Sequence, residues 1–191
     1  TGAWVVWEMT MEIRQGTLAL RLLRPIHPLL QWSADNLAAI PMRGVVAFPV
    51  VGILLYVARA ELSHDWFSWL LLCPALVGAW LIYFLVQAII GTFALRFESA
   101  ASLFDAWLGF SNILSGYLVP LDLFPRAVRS LALVLPFRFQ LSFPVELMIG
   151  RCSRADALEL LAAQWAYVAV FFVATRVAWR SGLRHYAAYG G

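Results

Sequence analysis

The chain has 191 residues, of which 62% are hydrophobic and 13% charged, and its formal net charge is +3. Ordinary soluble domains do not have this balance, so the composition indicates an integral membrane protein. All fourteen basic residues are arginines, and they lie between apolar runs, which argues against a nucleic-acid-binding surface. The chain contains no lysine, which excludes a conventional P-loop and a Schiff-base lysine.

An amphipathic helix is predicted within residues 4–23, because apolar and polar side chains recur at helical spacing on separate faces. The apolar set is Val6, Met9, Ile13 and Leu20, and the polar set is Glu8, Glu12 and Gln15. Gly16 interrupts this pattern, and Pro25 ends it, since the residue before a proline is pushed out of the helical region. The pattern fits a helix lying in the headgroup layer and a helix docking onto a cytoplasmic partner equally well.

Four membrane spans are predicted, at residues 37–58, 66–95, 105–121 and 157–180. Residues 66–95 carry no charge, and at about 1.5 Å per residue they are more than long enough to cross a bilayer. The first span contains Pro49, which predicts a kink, and the last follows an S-R-A-D sequence typical of a capping box, Ser153 to Asp156. The distribution of arginines, eight on one side and six on the other, favours cytoplasmic termini.

Residues 123–150 are predicted to form a re-entrant hairpin of short helices before the last span. Pro120, Pro125, Pro136 and Pro144 divide this apolar region into pieces of roughly ten residues or fewer, too short to cross a hydrocarbon core. Irregular backbone at membrane depth is tolerated only where protein buries it or a water-filled cavity receives it. The segment therefore indicates transport more than anchoring.

Several polar residues near the spans have two interpretations each. Ser111, Asn112 and Ser115 share one helical flank, where they could line a pathway or let helices pack closely through small-residue spacing. Gln87, four residues before Gly91, has the same two interpretations, and packing is favoured for all of them.

The charged residues of the hairpin also have ordinary structural explanations. Asp122 is expected to cap a turn, and Glu146 to complement the dipole in the first turn of a short helix. Arg126 and Arg129 lie on one helix face, where lipid headgroup contact is favoured over an anionic substrate. Arg138 could pair with Glu146 or with a headgroup, and the sequence leaves this open.

No catalytic, cofactor-binding or metal-binding residue is predicted. Ser115 and Gly116 would need a histidine on a neighbouring span to form an intramembrane serine protease, and the predicted spans contain none. Paired carboxylates are likewise absent from the spans. Cys73 and Cys152 have no C-x-x-C spacing and no nearby histidine, so free thiols are expected.

Five stretches together resemble one transporter family. They are WEMTMEIRQGTLALRLLRPIHPL at 7–29, LSGYLVPLDLFP at 114–125, LPFRF at 135–139, FPVELMIG at 143–150 and WRSGLRHY at 179–186. This combination is similar to the permease subunits of bacterial type-two ABC exporters, and in particular to the branch described as uncharacterised ABC transport system permeases. The most specific part is the stretch from 115 to 125 with the F-P-V-E that follows.

The resemblance implies an all-α membrane protein forming a single transmembrane permease domain over residues 1–191. Family members usually carry six spans, so the chain would hold the last four and lack the first ones. Residues 1–35 would form the cytoplasmic segment that couples to a separate ABC ATP-binding subunit, which would bind ATP and Mg. A second permease copy or paralogue would complete a dimer in the bacterial inner membrane, with both termini of this chain cytoplasmic.

The resemblance also assigns roles to residues. The ATPase-coupling residues would be Glu8, Glu12, Arg14, Gly16, Leu18, Leu23, Arg24 and Pro25. The translocation path would include Gln87, Asn112, Ser115 and Gly116. The hairpin residues would be Pro120, Asp122, Pro125, Arg126, Arg129, Pro136, Arg138, Pro144, Glu146 and Gly150. The alternative is a channel-like or scaffolding membrane protein without ATP coupling.

Overall fold

The computed structural model describes residues 5–57, 59, 61–95, 100–119 and 121–186, and this part of the chain is helical without strands. The eight α-helices are α1 (Val5–Arg14), α2 (Leu18–Leu22), α3 (Pro28–Val57), α4 (Trp66–Phe93), α5 (Ala100–Leu114), α6 (Arg126–Val134), α7 (Ser142–Met148) and α8 (Arg154–Tyr186). Two 3₁₀ turns, Leu121–Leu123 and Arg138–Gln140, flank α6. Pro120 and the Asp122 side chain lie outside the described part.

Three of these helices, α3, α4 and α8, are long and apolar enough to cross a membrane. They overlap the predicted spans at residues 37–58, 66–95 and 157–180, and α8 contains the last of these entirely. Helix α3 begins at Pro28, nine residues before the predicted start of the first span, and the fixed φ of proline suits a first helical turn. Residues 28–35, which the sequence assigned to the coupling segment, are therefore the first two turns of α3.

The predicted span at 105–121 has different bounds in the structure. Helix α5 has 15 residues, so it is about 22 Å long at about 1.5 Å per residue. It ends because the chain turns at Gly116, whose φ of +83° disfavours side chains. A Cβ at Gly116 would also lie 2.6 Å from Ser142 Oγ, so this turn lets the hairpin approach α5 closely.

Helix α4 is the centre of the described structure. Helix α8 packs along it, and α1, α5, α7 and the Arg138–Gln140 turn contact it from other sides. Its buried residues include Leu71, Ala75, Ile82, Leu85 and Ala88. Large buried side chains from the other elements complete this core, namely Trp32, Phe139, Phe143, Leu147 and Trp179.

The two ends of α4 hold different parts of the chain. Helix α1 packs near the C-terminal end, where Met9 Sδ lies 2.5 Å from the position of a Cβ on Gly91. At the N-terminal end, Arg154 donates two hydrogen bonds to Asp65, the N-cap residue of α4, over 3.0 and 2.9 Å. The hairpin docks at this end too, since Ser63 N donates to Met148 O over 2.8 Å. The α1 end and the hairpin end are therefore opposite.

Helix α3 diverges from the other two long helices. Only 6% of its most apolar stretch is buried, compared with 39% for α4. Near its start it is tied to α4 by Trp80 Nε1, which donates to Asn36 Oδ1 over 3.3 Å. Farther along, Met42, Val45 and Phe48 are each more than two thirds exposed.

The contact between α4 and α8 depends on one buried amide. Gln164 is 0% exposed, and its Nε2 donates to Ala75 O over 2.9 Å and to Phe139 O over 3.0 Å. Its side chain occupies a notch at Gly78, where an added Cβ would lie 2.7 Å from Gln164 Cδ. One side chain therefore joins α8, α4 and the hairpin.

We predict that Gly78→Ala lowers the melting temperature of the detergent-solubilised protein, because its methyl group displaces Gln164 from both carbonyls. Alanine is about 1 kcal/mol better than glycine in a helix interior, whereas interhelical hydrogen bonds in membrane proteins contribute about 0.6 kcal/mol on average. We expect the steric conflict with Gln164 to outweigh the gain in helix propensity. The net loss in the free energy of unfolding should be about 1 to 2 kcal/mol, as is usual for overpacking.

The matched control is Gly52→Ala in α3, where nothing lies within 4 Å of the new Cβ, and this variant should melt no lower than the wild type. The double variant Gly78→Ala, Gln164→Ala should melt no lower than Gln164→Ala alone. A Gly78→Ala protein as stable as Gly52→Ala would contradict the packing of Gln164 in the notch at Gly78.

Candidate functional site

The α1–α2 segment, residues 5–27, is packed against the bundle through one face of α1. Val5, Val6, Met9 and Thr10 are buried there, and Thr10 Oγ1 donates to Val6 O over 2.7 Å, so its hydroxyl is satisfied. The chain then turns at Gly16, whose φ is +72°, and enters α2. The segment is thus an ordered part of the bundle, attached at the C-terminal end of α4.

Arg21 joins three helices by ion pairs. Its Nη2 donates to Glu12 Oε1 of α1 over 2.6 Å, and its Nη1 donates to Asp35 Oδ2 of α3 over 3.1 Å. The guanidinium lies 5.1 Å from the centre of the Trp32 ring, and Trp32 Nε1 donates to Glu12 Oε1 over 3.4 Å. Since the Arg21 and Glu12 side chains are only 17% and 19% exposed, water screens this pair less than a surface pair.

The same network continues into α3 and α8. Gln31 Nε2 donates to Ile26 O over 2.7 Å, and Arg24 Nη1 donates to Gln31 Oε1 over 3.3 Å. The buried Trp32 ring meets Trp179 of α8 edge-on, with ring centres 5.7 Å apart. A displacement of α2 would therefore act on the start of α3 and on the C-terminal part of α8.

The α1–α2 segment exposes several apolar side chains in and just after α2. Leu20, Leu23 and Ile26 are 66%, 82% and 56% exposed, and the exposed Arg14 and Arg24 lie in the same segment. A cluster of exposed apolar side chains bordered by charge is typical of a protein or membrane contact. We call Leu20, Leu22, Leu23 and Ile26 the docking patch.

The coupling residues predicted from sequence fall into two groups in this segment. Leu18 is buried and Glu12 is held by Arg21, so both stabilise the segment. Glu8, Arg14, Gly16, Leu23, Arg24 and Pro25 are exposed. Sequence analysis missed Arg21, Trp32, Asp35 and Trp179, because their contacts cross the Gly16 turn or link distant helices.

Although Glu8 is exposed as a residue, partial burial of its carboxyl raises its pKa above the usual value, and the nearby carboxylate of Asp35 raises it further. Arg21 and Arg43 oppose this rise less strongly than burial promotes it. Glu12 and Asp35 pair with Arg21, and both carboxylates raise the pKa of the neighbouring Glu8.

At the opposite end, the hairpin and the start of α8 enclose a cavity of about 900 Å³. Its charged lining residues are Arg129, Arg138, Glu146, Arg151, Asp156 and Glu159. Arg138 Nη2 donates to Glu146 Oε2 over 2.6 Å, which settles the partner that the sequence left open. The first-turn position predicted for Glu146 was wrong, because α7 already begins at Ser142 and the carboxylate faces Arg138 instead.

The hairpin is anchored on α5 and α8 by hydrogen bonds. Ser111 Oγ donates to Gln140 Oε1 over 2.8 Å, and Ser142 Oγ donates to Ser115 O over 2.7 Å. Tyr167 Oη of α8 donates to Val134 O over 2.6 Å. As the prolines predicted, the helical pieces are short, nine residues in α6 and seven in α7.

The residues predicted for a translocation path do not form one cluster. Ser115 and Gly116 contact the hairpin at Ser142, and Asn112 is half-buried, its carbonyl accepting from Leu118 N over 3.1 Å. Gln87 is 0% exposed on α4. In the described part of the chain neither its Nε2 nor its Oε1 has a hydrogen-bond partner, which makes Gln87 an exception to the usual pairing of buried polar groups.

Among the residues that the structure describes, no group of three or more His, Cys, Asp or Glu side chains could hold a metal ion. The Cys152 thiol lies 3.7 Å from Glu146 Oε2. Burial, and secondarily the Glu146 carboxylate, raise the pKa of Cys152 to about 11. A thiol with this pKa is largely unreactive near neutral pH.

Comparison with protein families gives a match over nearly the whole chain. A family model described as ABC-2 family transporter protein matches residues 4–190. Neither the curated proteins nor the solved structures compared with the chain give a match. The family match covers the α1–α2 segment, the three long helices and the hairpin.

We predict that Glu8→Gln raises the melting temperature at pH 7 to 8. A carboxyl with a raised pKa in the folded protein contributes stability at low pH and loses it as the pH rises through the folded pKa. The gain should therefore vanish as the pH falls below about 4.5, the usual value, where wild-type Glu8 is protonated in both states. Melting curves between pH 4 and 8 measure this.

Glu61→Gln, at an exposed position before α4, is the control for a general change in net charge. A Glu8→Gln protein that melts lower than the wild type at pH 8 would contradict the electrostatic description of the segment.

We predict that Glu146→Gln accelerates maleimide labelling of Cys152 in a Cys73→Ala background. Loss of the carboxylate removes a cause of the high thiol pKa and leaves Arg138 to favour the thiolate. In the parent protein the labelling rate should still rise above pH 10, and in Glu146→Gln its midpoint should move to lower pH. Glu159→Gln, which changes another cavity carboxylate, should leave the midpoint unchanged, and equal shifts would refute the specific Cys152–Glu146 contact.

Proposed function

We propose, because the chain belongs to the ABC-2 family of transporter proteins, that it is the permease subunit of an ATP-driven exporter. Its long apolar helices make it a multi-pass membrane protein, and a transport role follows from the family. The proposal adds that a separate ABC subunit binds ATP and Mg, that the α1–α2 segment docks onto that subunit, and that export is the direction of transport.

The observation that carries the proposal is the docking patch on a braced segment. Leu23 is 82% exposed at the end of α2, while Arg21, two residues earlier, is fixed to α1 and α3. A partner that pushes on the patch would thus move helices rather than bend a loose loop. Such coupling requires two arrangements whose balance the partner shifts on binding ATP.

The packing supports a route by which that movement reaches the hairpin. Trp32 transfers it to Trp179 on α8, and Gln164, four turns earlier on α8, holds the hairpin through Phe139 O. The rigid α8 helix would therefore link the two ends of the molecule. The hairpin and its cavity would respond when the ATP-binding subunits close.

A second permease, identical or paralogous, would provide the other half of the translocation path. Helix α3 is suited to that contact, since most of its apolar surface is exposed. Gln87, Asn112 and the Ser115–Gly116 turn are proposed to lie along the path. The proposed location is the bacterial inner membrane, with the α1–α2 segment and the C-terminal end of α8 on the cytoplasmic side.

We predict that the protein, reconstituted in liposomes with its proposed ABC ATP-binding subunit, changes the ATP turnover of that subunit, and that Leu23→Glu reduces the change at least about tenfold. A charge in an apolar contact prevents the desolvation on which docking depends. ATP turnover and co-purification are the two measurements.

Leu123→Glu is the matched control, because Leu123 is 73% exposed but lies at the hairpin end. Arg21→Gln should retain co-purification but lose the effect on turnover, which separates docking from transmission. Equal effects of the two leucine variants would exclude a role of the docking patch in binding the ATP-binding subunit. A wild-type protein that neither binds the ATP-binding subunit nor changes its turnover would favour a channel-like or scaffolding function.

A further inference from the structure

A second, mostly apolar cavity lies between α3, α4 and α8, where α3 diverges from the other two helices. Its volume is about 360 Å³. The apolar walls are formed by Leu29, Leu30, Leu37, Trp80, Leu81, Phe84, Leu85 and Phe172. His27, Ser33, Thr175 and Arg176 complete the lining, and we call this cavity the α3–α8 crevice.

Arg176 brings a positive charge to the lining of the crevice. Thr175 Oγ1 donates to Leu85 O over 3.3 Å, which places Arg176 at the level of Leu85, eight residues or about 12 Å before the end of α4. The Arg176 guanidinium lies 4.8 Å from the centre of the Phe172 ring. A cation at this depth is costly unless an anion or water reaches it.

No carboxylate compensates this charge in the part of the chain that the structure describes. The lining of the crevice contains no Asp or Glu, and Arg176 forms none of the ion pairs found there. By contrast, Arg21, Arg138 and Arg154 each have a carboxylate partner. The crevice therefore has an unbalanced positive charge at one side of its apolar walls.

His27 adds a hydrogen-bond donor at the same mouth. Its Nδ1 accepts from Leu29 N over 3.3 Å, so in the neutral imidazole the proton is on Nε2, which is left as a donor. Its ring is held against Trp179, with ring centres 5.8 Å apart. His27 and Arg176 line the same cavity, and burial, together with the positive charge of Arg176, lowers the pKa of His27.

We propose that the α3–α8 crevice binds an anionic phospholipid from the leaflet on the α1–α2 side. The phosphate would accept hydrogen bonds from Arg176 and His27 Nε2, and one acyl chain would lie along the apolar walls. Basic pockets between transmembrane helices on the cytoplasmic side bind lipid headgroups in this way. A soluble anion would satisfy only the charged mouth and leave the apolar walls unoccupied.

Because of the position of the crevice, a bound lipid would affect how the helices around it pack. Its walls come from α3 and α8, and His27 and Trp179 belong to the contacts through which the α1–α2 segment meets those helices. An acyl chain between α3 and α4 holds the two helices at a fixed separation near Asn36 and Trp80. The lipid is therefore a structural component of the junction between the segment and the bundle, whether or not an ATP-binding partner docks there.

The test is native mass spectrometry of the purified protein with added phosphatidylglycerol or phosphatidylcholine. Phosphatidylglycerol should stay bound at activation energies that remove phosphatidylcholine. Arg176→Gln should weaken phosphatidylglycerol binding about tenfold, equivalent to about 1.4 kcal/mol. Arg180→Gln, one turn along α8, exposed and outside the crevice, should bind like the wild type.

A second pair of variants tests the acyl chain. Leu30→Trp fills the crevice from α3 without changing its charge and should weaken lipid binding, whereas Leu23→Trp, at an exposed position outside it, should not. Only variants that melt at the same temperature as the wild type are compared. Equal retention of the two lipids, equal effects of Arg176→Gln and Arg180→Gln, or displacement of phosphatidylglycerol by equimolar glycerol phosphate would each overturn the proposal.

Discussion

The hydrogen bonds of Gln164 are the interaction on which the arrangement of the bundle depends. An apolar helix surface in a membrane gains little from meeting another one, because lipid tails are as apolar as leucine. Gln164 gives α8 one defined position on α4, since its amide reaches Ala75 O and Phe139 O only from the notch at Gly78. That position sets which residues of α8 face the hairpin and which face the α1–α2 segment.

The lengths of α4 and α8 determine how far the hairpin end lies from the α1–α2 end. Helices α4 and α8 have 28 and 33 residues, so their ends are about 40 Å or more apart at about 1.5 Å per residue. At one end Asp65 pairs with Arg154 and the hairpin docks. At the other end Met9 meets Gly91 and Trp32 meets Trp179. Rigid helices with ordered contacts at each end could carry coupling over this distance, provided that the contacts have two discrete arrangements.

The sequence predicted the local structure well where one residue determines it. Prolines predicted the short pieces of the hairpin, Gly16 the break after α1, and Ser153 with Asp156 the capping contact, in which Asp156 N donates to Ser153 Oγ over 3.2 Å. It failed where the outcome depends on a tertiary contact. The end of α5 at Gly116 depends on Ser142 from the hairpin, and the partners of Arg21 lie nine residues before and fourteen residues after it.

Charge placement explains why Arg21 and Arg176 have different roles although both lie near the same end of the bundle. Arg21 is enclosed by Glu12 and Asp35, so its charge is neutralised within the protein and its contacts stabilise the fold. Arg176 meets an aromatic face and an apolar crevice instead. A cation–π contact of this kind contributes about 0.5 to 2 kcal/mol, which offsets only part of the cost of holding a charge beside apolar surface in a membrane-spanning helix. In the proposed complex, a headgroup phosphate at the mouth of the crevice supplies the negative charge that the described part of the chain does not.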